Sequence, residues 1–354
     1  MLIQPVFKFL LGASIAALGC GVLGAIMLIG TELSTPEAQG ETDLIFIHHS
    51  VGNNWLNNNL KQELLAKSYI GNVNDIFYGT TLAPDENRPD SLQPLPGDYT
   101  NMDAWVFWFN DYLNGLKQYQ NPGGIAQLIA PIERMITPRK PQLSVYFNQL
   151  KGDYSAEGNN KIVMFKSCFP NSNLGQNGAE PGSPFSLDRT IINNQAIFQH
   201  PDGPGQIYTH NDNSYQALED IFAQNPDTLF VIVTSPPLHY APVDATTDEN
   251  AHRARQFNNW LKNDWLAQYQ ANNPGLNNVA VYDFFDVLAY PDDHPDHPNR
   301  LMAEYGGESG DSHPTDAANI ATTQSFAANP NNFIDQAWNA FISSQVEVEP
   351  EASR

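Results

Sequence analysis

Basic side chains are scarce in this chain. Its 354 residues include 17 Lys and Arg against 39 Asp and Glu, a formal net charge of −22. Sequence-tolerant binding to nucleic-acid phosphates needs clustered cations, so that class of function is excluded. Only two cysteines occur, Cys20 and Cys168, which leaves neither a disulfide framework nor a cysteine zinc site. There is no internal repeat of fixed period and no glycine-rich phosphate loop. Apolar material is plentiful: 41% of residues are hydrophobic, with 19 Phe, 14 Tyr and 6 Trp. That content excludes a wholly disordered chain in spite of the acidity.

Residues Phe9–Gly30 carry no charge and follow a single Lys8. At about 1.5 Å per residue, a helix of that length spans a bilayer core. The run predicts an uncleaved membrane anchor over residues 1–30; a cleaved signal peptide and a lipoprotein at Cys20 are the alternatives. Lys8 before the run and Glu32 and Glu37 after it put the N-terminus inside and the remainder outside the cytoplasm. Residues 31–42, polar with Pro36, read as a linker, and 346–354 as an acidic tail.

Beyond the linker, short apolar runs alternate with helical periodicity. Strands are predicted at Asp43–His48, Asp75–Gly79, Lys161–Phe165, Thr228–Thr234 and Asn278–Asp283. Helices are predicted at Trp55–Tyr69 with Asn53 or Asn54 as cap, Ala104–Tyr119, Ile125–Thr137, Tyr215–Ala223, Ala251–Tyr269, Thr315–Phe326 and Asn332–Ser343. Trp105, Trp108 and Tyr112 fit a helix that turns its aromatics inward. Residues 188–213 show no clear period and read as an insertion. The pattern implies an α/β domain over 43–345, a parallel five-stranded sheet covered by helices on both faces. Ligands of such sheets bind at the carboxyl ends of the strands, which is where chemistry is to be sought.

Polar residues suited to acyl transfer stand at those ends. Ser50 follows the first strand in His48-His49-Ser50-Val51-Gly52, where a hydroxyl can serve as nucleophile or as helix cap. Gly79 follows the second strand and offers a backbone N–H. Asn171 or Asn173, in Phe169-Pro170-Asn171-Ser172-Asn173 after the third, offers an amide donor. Near the C-terminus, Gly310-Asp311-Ser312-His313-Pro314 supplies a general base, His313, with Asp311 to orient it. His49, Asn173, His294 and His297 are candidates for substrate contact.

This ordered set resembles the SGNH hydrolases, or GDSL esterases. Their blocks carry a nucleophilic Ser, an oxyanion Gly, an oxyanion Asn and a C-terminal Asp-x-x-His-Pro. Thr234-Ser235-Pro236-Pro237 and Val281-Tyr282-Asp283 match as well. The resemblance implies a flavodoxin-like three-layer α/β/α sandwich and hydrolysis of esters of lipids, carbohydrates or small acyl groups. Ser50, Asp311 and His313 would be catalytic, and Ser50, Gly79 and Asn171 would form the oxyanion hole. The chain departs from the family in two places. His48-His49-Ser50-Val51 replaces Gly-Asp-Ser-Leu, and the acid and base are spaced Asp-x-His, with Gly310 at the usual acid position. The site is thus a triad through Asp311 or a Ser-His dyad. Gly310-Asp311-Ser312 spells the family's first block, but no strand precedes it, so Ser312 is rejected as nucleophile. Gly-x-Ser-x-Gly is absent, which argues against the α/β-hydrolase fold.

The repeat Asp293-His294-Pro295-Asp296-His297-Pro298 reads as a solvated loop flanking the site rather than a metal centre, and no metal or cofactor is expected. Cys168 reads as a small buried hydrophobe. The expected function is an esterase acting on a small-molecule or carbohydrate ester, tethered to the membrane through residues 9–30 or secreted. The alternative is a non-catalytic glycan-binding protein on the same fold.

Overall fold

The computed structural model describes residues 40, 42–77, 84–85, 88–92, 102–120, 159–242 and 246–346. The anchor expected at 1–30, Gly79, the helix expected at 125–137 and tail residues 347–354 lie outside them. Among the described residues no helix is long and apolar enough to cross a membrane.

Strand β1 (Thr42–His48) alternates between two buried faces. Leu44 and Phe46 point into one apolar cluster and Ile45 and Ile47 into the other. A strand covered on both sides needs apolar residues at successive positions, the pattern of a central parallel strand. β1 pairs on one side with β2 (Ile70–Phe77) and on the other with β3 (Asn160–Lys166). β4 (Leu229–Val233) and β5 (Val279–Tyr282) complete a sheet of order β2-β1-β3-β4-β5, parallel throughout. The chain moves outward from β1 to β2, then returns to β1's other side as β3. The crevice between the carboxyl ends of β1 and β3 is where the direction of winding reverses, the favoured ligand position in such sheets.

Helix α1 (Ser50–Trp55) kinks at Asn58–Asn59, where Asn59 is left-handed (φ 75°), before α2 (Lys61–Leu65). Next come α3 (Ala104–Asp111), α4 (Leu113–Gln118), α5 (Ile191–Phe198) and α6 (Leu218–Ala223). α7 (Asp248–Asn259) continues through a π turn (Trp260–Trp265) into α8 (Leu266–Asn272). The C-terminal helices are α9 (Phe284–Leu288), α10 (Asp316–Thr323) and α11 (Phe333–Val346). Val51, Trp55, Ala318 and Phe341 cover the face of Leu44 and Phe46, so first and last helices share one side of the sheet. Trp105, Trp108, Phe198, Phe222 and Trp265 cover the other, and the two tryptophans of α3 are core residues.

Three predicted boundaries are corrected. β2, an edge strand, starts at Ile70, not Asp75; Asn72, Asn74 and Asp75 hide the apolar signal, the first and last partly exposed and Asn74 buried with its amide donating to Asn160 Oδ1 at 2.9 Å. α1 starts at Ser50 with His49 in the cap position and no side-chain cap, so neither Asn53 nor Asn54 caps it. Tyr215 belongs to a two-stranded ribbon (Ile207–His210 with Asn213–Gln216), and α6 begins only at Leu218. Within 188–213, Thr190 caps α5, and Ile197 and Phe198 enter the core.

Lys166, the last residue of β3, is fully buried, with its ammonium 4.7 Å above the Phe284 ring and donating to the Ser167 carbonyl. Burial pushes the amine down to about 7. Between that value and the ordinary lysine range the unfolded chain holds a proton that the folded chain lacks, so stability rises with pH across the window. Lys166→Met keeps the volume without the charge. It is expected to add about 2–4 kcal/mol at pH 7 and to abolish the rise between pH 7 and 10, as measured by urea denaturation.

Candidate active site

Ser50 opens α1 directly at the end of β1. The first turn of the helix lies close against the strand because residue 52 is glycine: a Cβ there would fall 2.4 Å from His48 Cβ. His313 reaches the same place from the far end of the chain. It lies two residues before Thr315, whose hydroxyl accepts from the Ala318 N–H and so starts α10. α10 is held beside α1 by hydrogen bonds from Trp55 Nε1 to Thr323 Oγ1 (2.9 Å) and from Asn58 Nδ2 to Asp316 Oδ1 (3.0 Å). The result is a 2.7 Å hydrogen bond between Ser50 Oγ and His313 Nε2. Ser50 is therefore not the cap of its helix; its hydroxyl is committed to an imidazole.

The short Asp-x-His spacing does bring acid and base together. Gly310 adopts φ 77°, a left-handed conformation that suits glycine, and the chain turns so that Asp311 faces the residue two ahead. Asp311 Oδ1 accepts from His313 Nδ1 (2.6 Å) and from the His313 backbone N–H (3.0 Å). Burial pushes the Asp311 carboxyl up. The hydrogen bonds from the His313 ring and backbone, and the His313 and His239 imidazoles nearby, outweigh that and hold it below the usual carboxylate range. The Asp311 side chain is 63% exposed and that of His313 30%, so water and salt weaken this pair.

β3 supplies the opposite wall. Cys168 is buried with Sγ 3.6 Å from Ser50 Oγ, and Phe169 sets its ring edge-on to His313 at 4.9 Å. A 3₁₀ turn (Phe169–Ser172) then buries Asn171, whose amide donates to the Cys168 carbonyl at 3.4 Å. Asn173 points elsewhere: its Oδ1 accepts from Asn250 Nδ2 on α7 at 2.6 Å. The Ser167 hydroxyl hydrogen-bonds to that of Ser235, joining the ends of β3 and β4.

Ser312 is buried, and its hydroxyl accepts from the His239 N–H at 3.1 Å, which anchors the loop that carries Asp311 and His313. His49 sits beside the serine, with Nδ1 3.1 Å from Ser50 Oγ and its ring against Phe77 at 4.7 Å. His294 and His297 are placed otherwise. His297 stacks on Tyr240 at 3.6 Å and His294 on Tyr290 at 4.0 Å, and this stack joins the His313 loop through the Tyr240 N–H to Gly307 O bond of 3.0 Å. Among the described residues, no group of three or more His, Cys, Asp or Glu is placed to hold a metal ion.

Sequence reasoning missed the contacts of Cys168 and Phe169 with the Ser-His pair and the anchoring role of Ser312. Position after β3 was the available signal for the first two. For Ser312 there was none, because its partner is a backbone N–H 73 residues away.

The arrangement can move a proton from the Ser50 hydroxyl to His313 while Asp311 steadies the imidazolium that results. In comparison with known proteins, no family model matches the chain and no curated protein matches it.

Proposed function

We propose that this chain is a serine esterase of SGNH type. One observation carries the reading: Ser50 Oγ lies 2.7 Å from His313 Nε2, whose Nδ1 lies 2.6 Å from Asp311. The strand order, with Ser50 after β1 and Asn171 after β3 on either side of the winding reversal, supports it, as does the flavodoxin-like 2-1-3-4-5 order itself.

In this mechanism Ser50 Oγ attacks the ester carbonyl carbon and its proton passes to His313 Nε2. Negative charge gathers on the carbonyl oxygen, where the Ser50 N–H, the Gly79 N–H and the Asn171 amide are the assigned donors. Such a donor contributes about 2.7–4 kcal/mol in comparable enzymes. The carbon–oxygen bond to the alcohol breaks, and His313 returns the proton to the leaving oxygen. Water, deprotonated by His313, then releases the acid and restores the Ser50 hydroxyl. Asn171 is favoured over Asn173 by position: it packs on Cys168, next to Ser50, whereas Asn173 turns its side-chain oxygen to Asn250 on α7.

The substrate class proposed is an acylated carbohydrate outside the cytoplasm, with residues 9–30 as membrane anchor or export signal. Two polar depressions of about 440 and 460 Å³ flank the loop that follows Asn171 rather than Ser50 itself. They could receive the alcohol portion of a large ester but are not where bond cleavage is assigned.

Hydrolysis of an aryl acetate by the full chain tests the reading, with Ser312→Ala as companion. The wild type is expected to turn over. Ser312→Ala should stay within about threefold of it while losing roughly 1–3 kcal/mol of stability, since the His239 N–H is left buried without its acceptor. No hydrolysis across a broad ester panel, combined with binding to a glycan array, would establish the glycan-binding alternative instead.

A further inference from the structure

Ser50 Oγ is approached by two imidazoles. His313 Nε2 lies at 2.7 Å and His49 Nδ1 at 3.1 Å, and they have to play opposite parts. A serine hydroxyl offers one proton and two lone pairs. The Asp311 carboxylate can only accept, so the proton on His313 sits at Nδ1 and its Nε2 is bare. The hydroxyl proton therefore goes to His313. What remains on Oγ toward His49 is a lone pair, so His49 Nδ1 bears a hydrogen and donates it.

His49 is built into this position. It is 4% exposed, its ring lies against Phe77, and its carbonyl accepts both the Asn53 N–H (2.9 Å) and His48 Nδ1 (3.1 Å). His48 is in turn fully buried with Nε2 3.5 Å from Asp75 Oδ2. The residue that donates to the nucleophile is thus fixed by the end of β1, the first turn of α1 and the end of β2 together.

We propose that His49 is a further catalytic residue of the reaction assigned above: an Nδ1–H donor to Ser50 Oγ that aims the hydroxyl proton at His313 and stabilises the charge left on Oγ as that proton departs. His49 keeps its own proton throughout; the only proton transferred in the attack step runs from Ser50 to His313. As the acyl-enzyme breaks down, Oγ becomes the leaving oxygen and meets the same donor. The proposal rests on the esterase reading and assigns to the histidine before the nucleophile a part in the chemistry rather than in substrate contact.

The test uses the full chain with an aryl acetate and a fluorophosphonate, whose reaction reports the attack step alone. His49→Phe keeps a ring against Phe77 but has no donor, whereas His49→Asn places an amide N–H close to the position of Nδ1. His49→Phe is expected to lower kcat/KM and the labelling rate about 100-fold with KM little changed. His49→Asn should recover at least tenfold of that loss. A folded His49→Phe chain that labels at the wild-type rate overturns the proposal, and so does a folded His49→Asn chain no better than His49→Phe. If His49→Phe fails to fold, His49→Asn decides alone: activity within tenfold of wild type supports the donor, and a folded chain down 100-fold refutes it. A wild type that neither hydrolyses nor labels overturns the esterase reading itself, a result distinct from all of these.

Discussion

Ser50→Ala and His313→Ala are each expected to abolish ester hydrolysis, with losses of about 10⁴–10⁶-fold and unchanged melting behaviour. The two residues lie 263 positions apart and share one hydrogen bond of 2.7 Å. On the proposed mechanism, Ser50→Ala removes the atom that forms the acyl-enzyme. His313→Ala removes the Asp311-supported base that takes the hydroxyl proton, and an un-ionised serine is a weak nucleophile. Because nucleophile and base act as a unit, the double variant should be no worse than either single one. Neither change should unfold the chain, since the helix pair α1 and α10 is held by Trp55, Asn58 and their partners rather than by the Ser-His bond. Steady-state rates beside thermal melts of the same samples provide the check. Full activity in Ser50→Ala would remove the serine from the mechanism.

Asp311→Asn is expected to lower kcat by about 10²–10³-fold. In a buried triad the corresponding change costs about 10⁴-fold, because the imidazole loses the partner that fixes its tautomer. Here the Asp311 side chain is 63% exposed, so solvent screens part of the charge and the loss is smaller. The sign with pH follows from the carboxyl's depressed range: the Asp311–His313 interaction is fully present above the ordinary carboxylate range and is lost as pH falls through the lower folded value. Added salt should therefore slow the wild type modestly and leave Asp311→Asn nearly unaffected. A variant indistinguishable from wild type would establish a Ser-His dyad.

Much of the sheet could be read from the chain because β1, β3, β4 and β5 are short runs of successive apolar residues, which bury both their faces only when helices cover the sheet on each side. β2 was half hidden because polar residues interrupt its apolar run: Asn72 and Asp75 are partly exposed, and Asn74 is buried but donates to Asn160 Oδ1 at 2.9 Å. α5 escaped because Asn193, Asn194 and Gln195 interrupt its apolar period, leaving Ile197 and Phe198 as anchors that no local pattern identifies. Ser50 and His313 were legible by position, one at a strand end and one before a helix. Asp311 was legible as a candidate to orient His313, but triad and dyad stayed open because the acid normally stands three residues before the base; the contact depends on the left-handed Gly310 and on one oxygen taking both N–H groups of His313. The donor role proposed for His49 was hidden, because it follows from proton accounting along Asp311, His313, Ser50 and His49 rather than from any spacing.

The most direct test of Ser50 as nucleophile is fluorophosphonate labelling of the full chain followed by peptide mapping. A single phosphonyl adduct is expected on the peptide containing Ser50 in the wild type and none in Ser50→Ala. An adduct on Ser312 or on any residue other than Ser50, or no adduct on a folded wild-type chain, would contradict it.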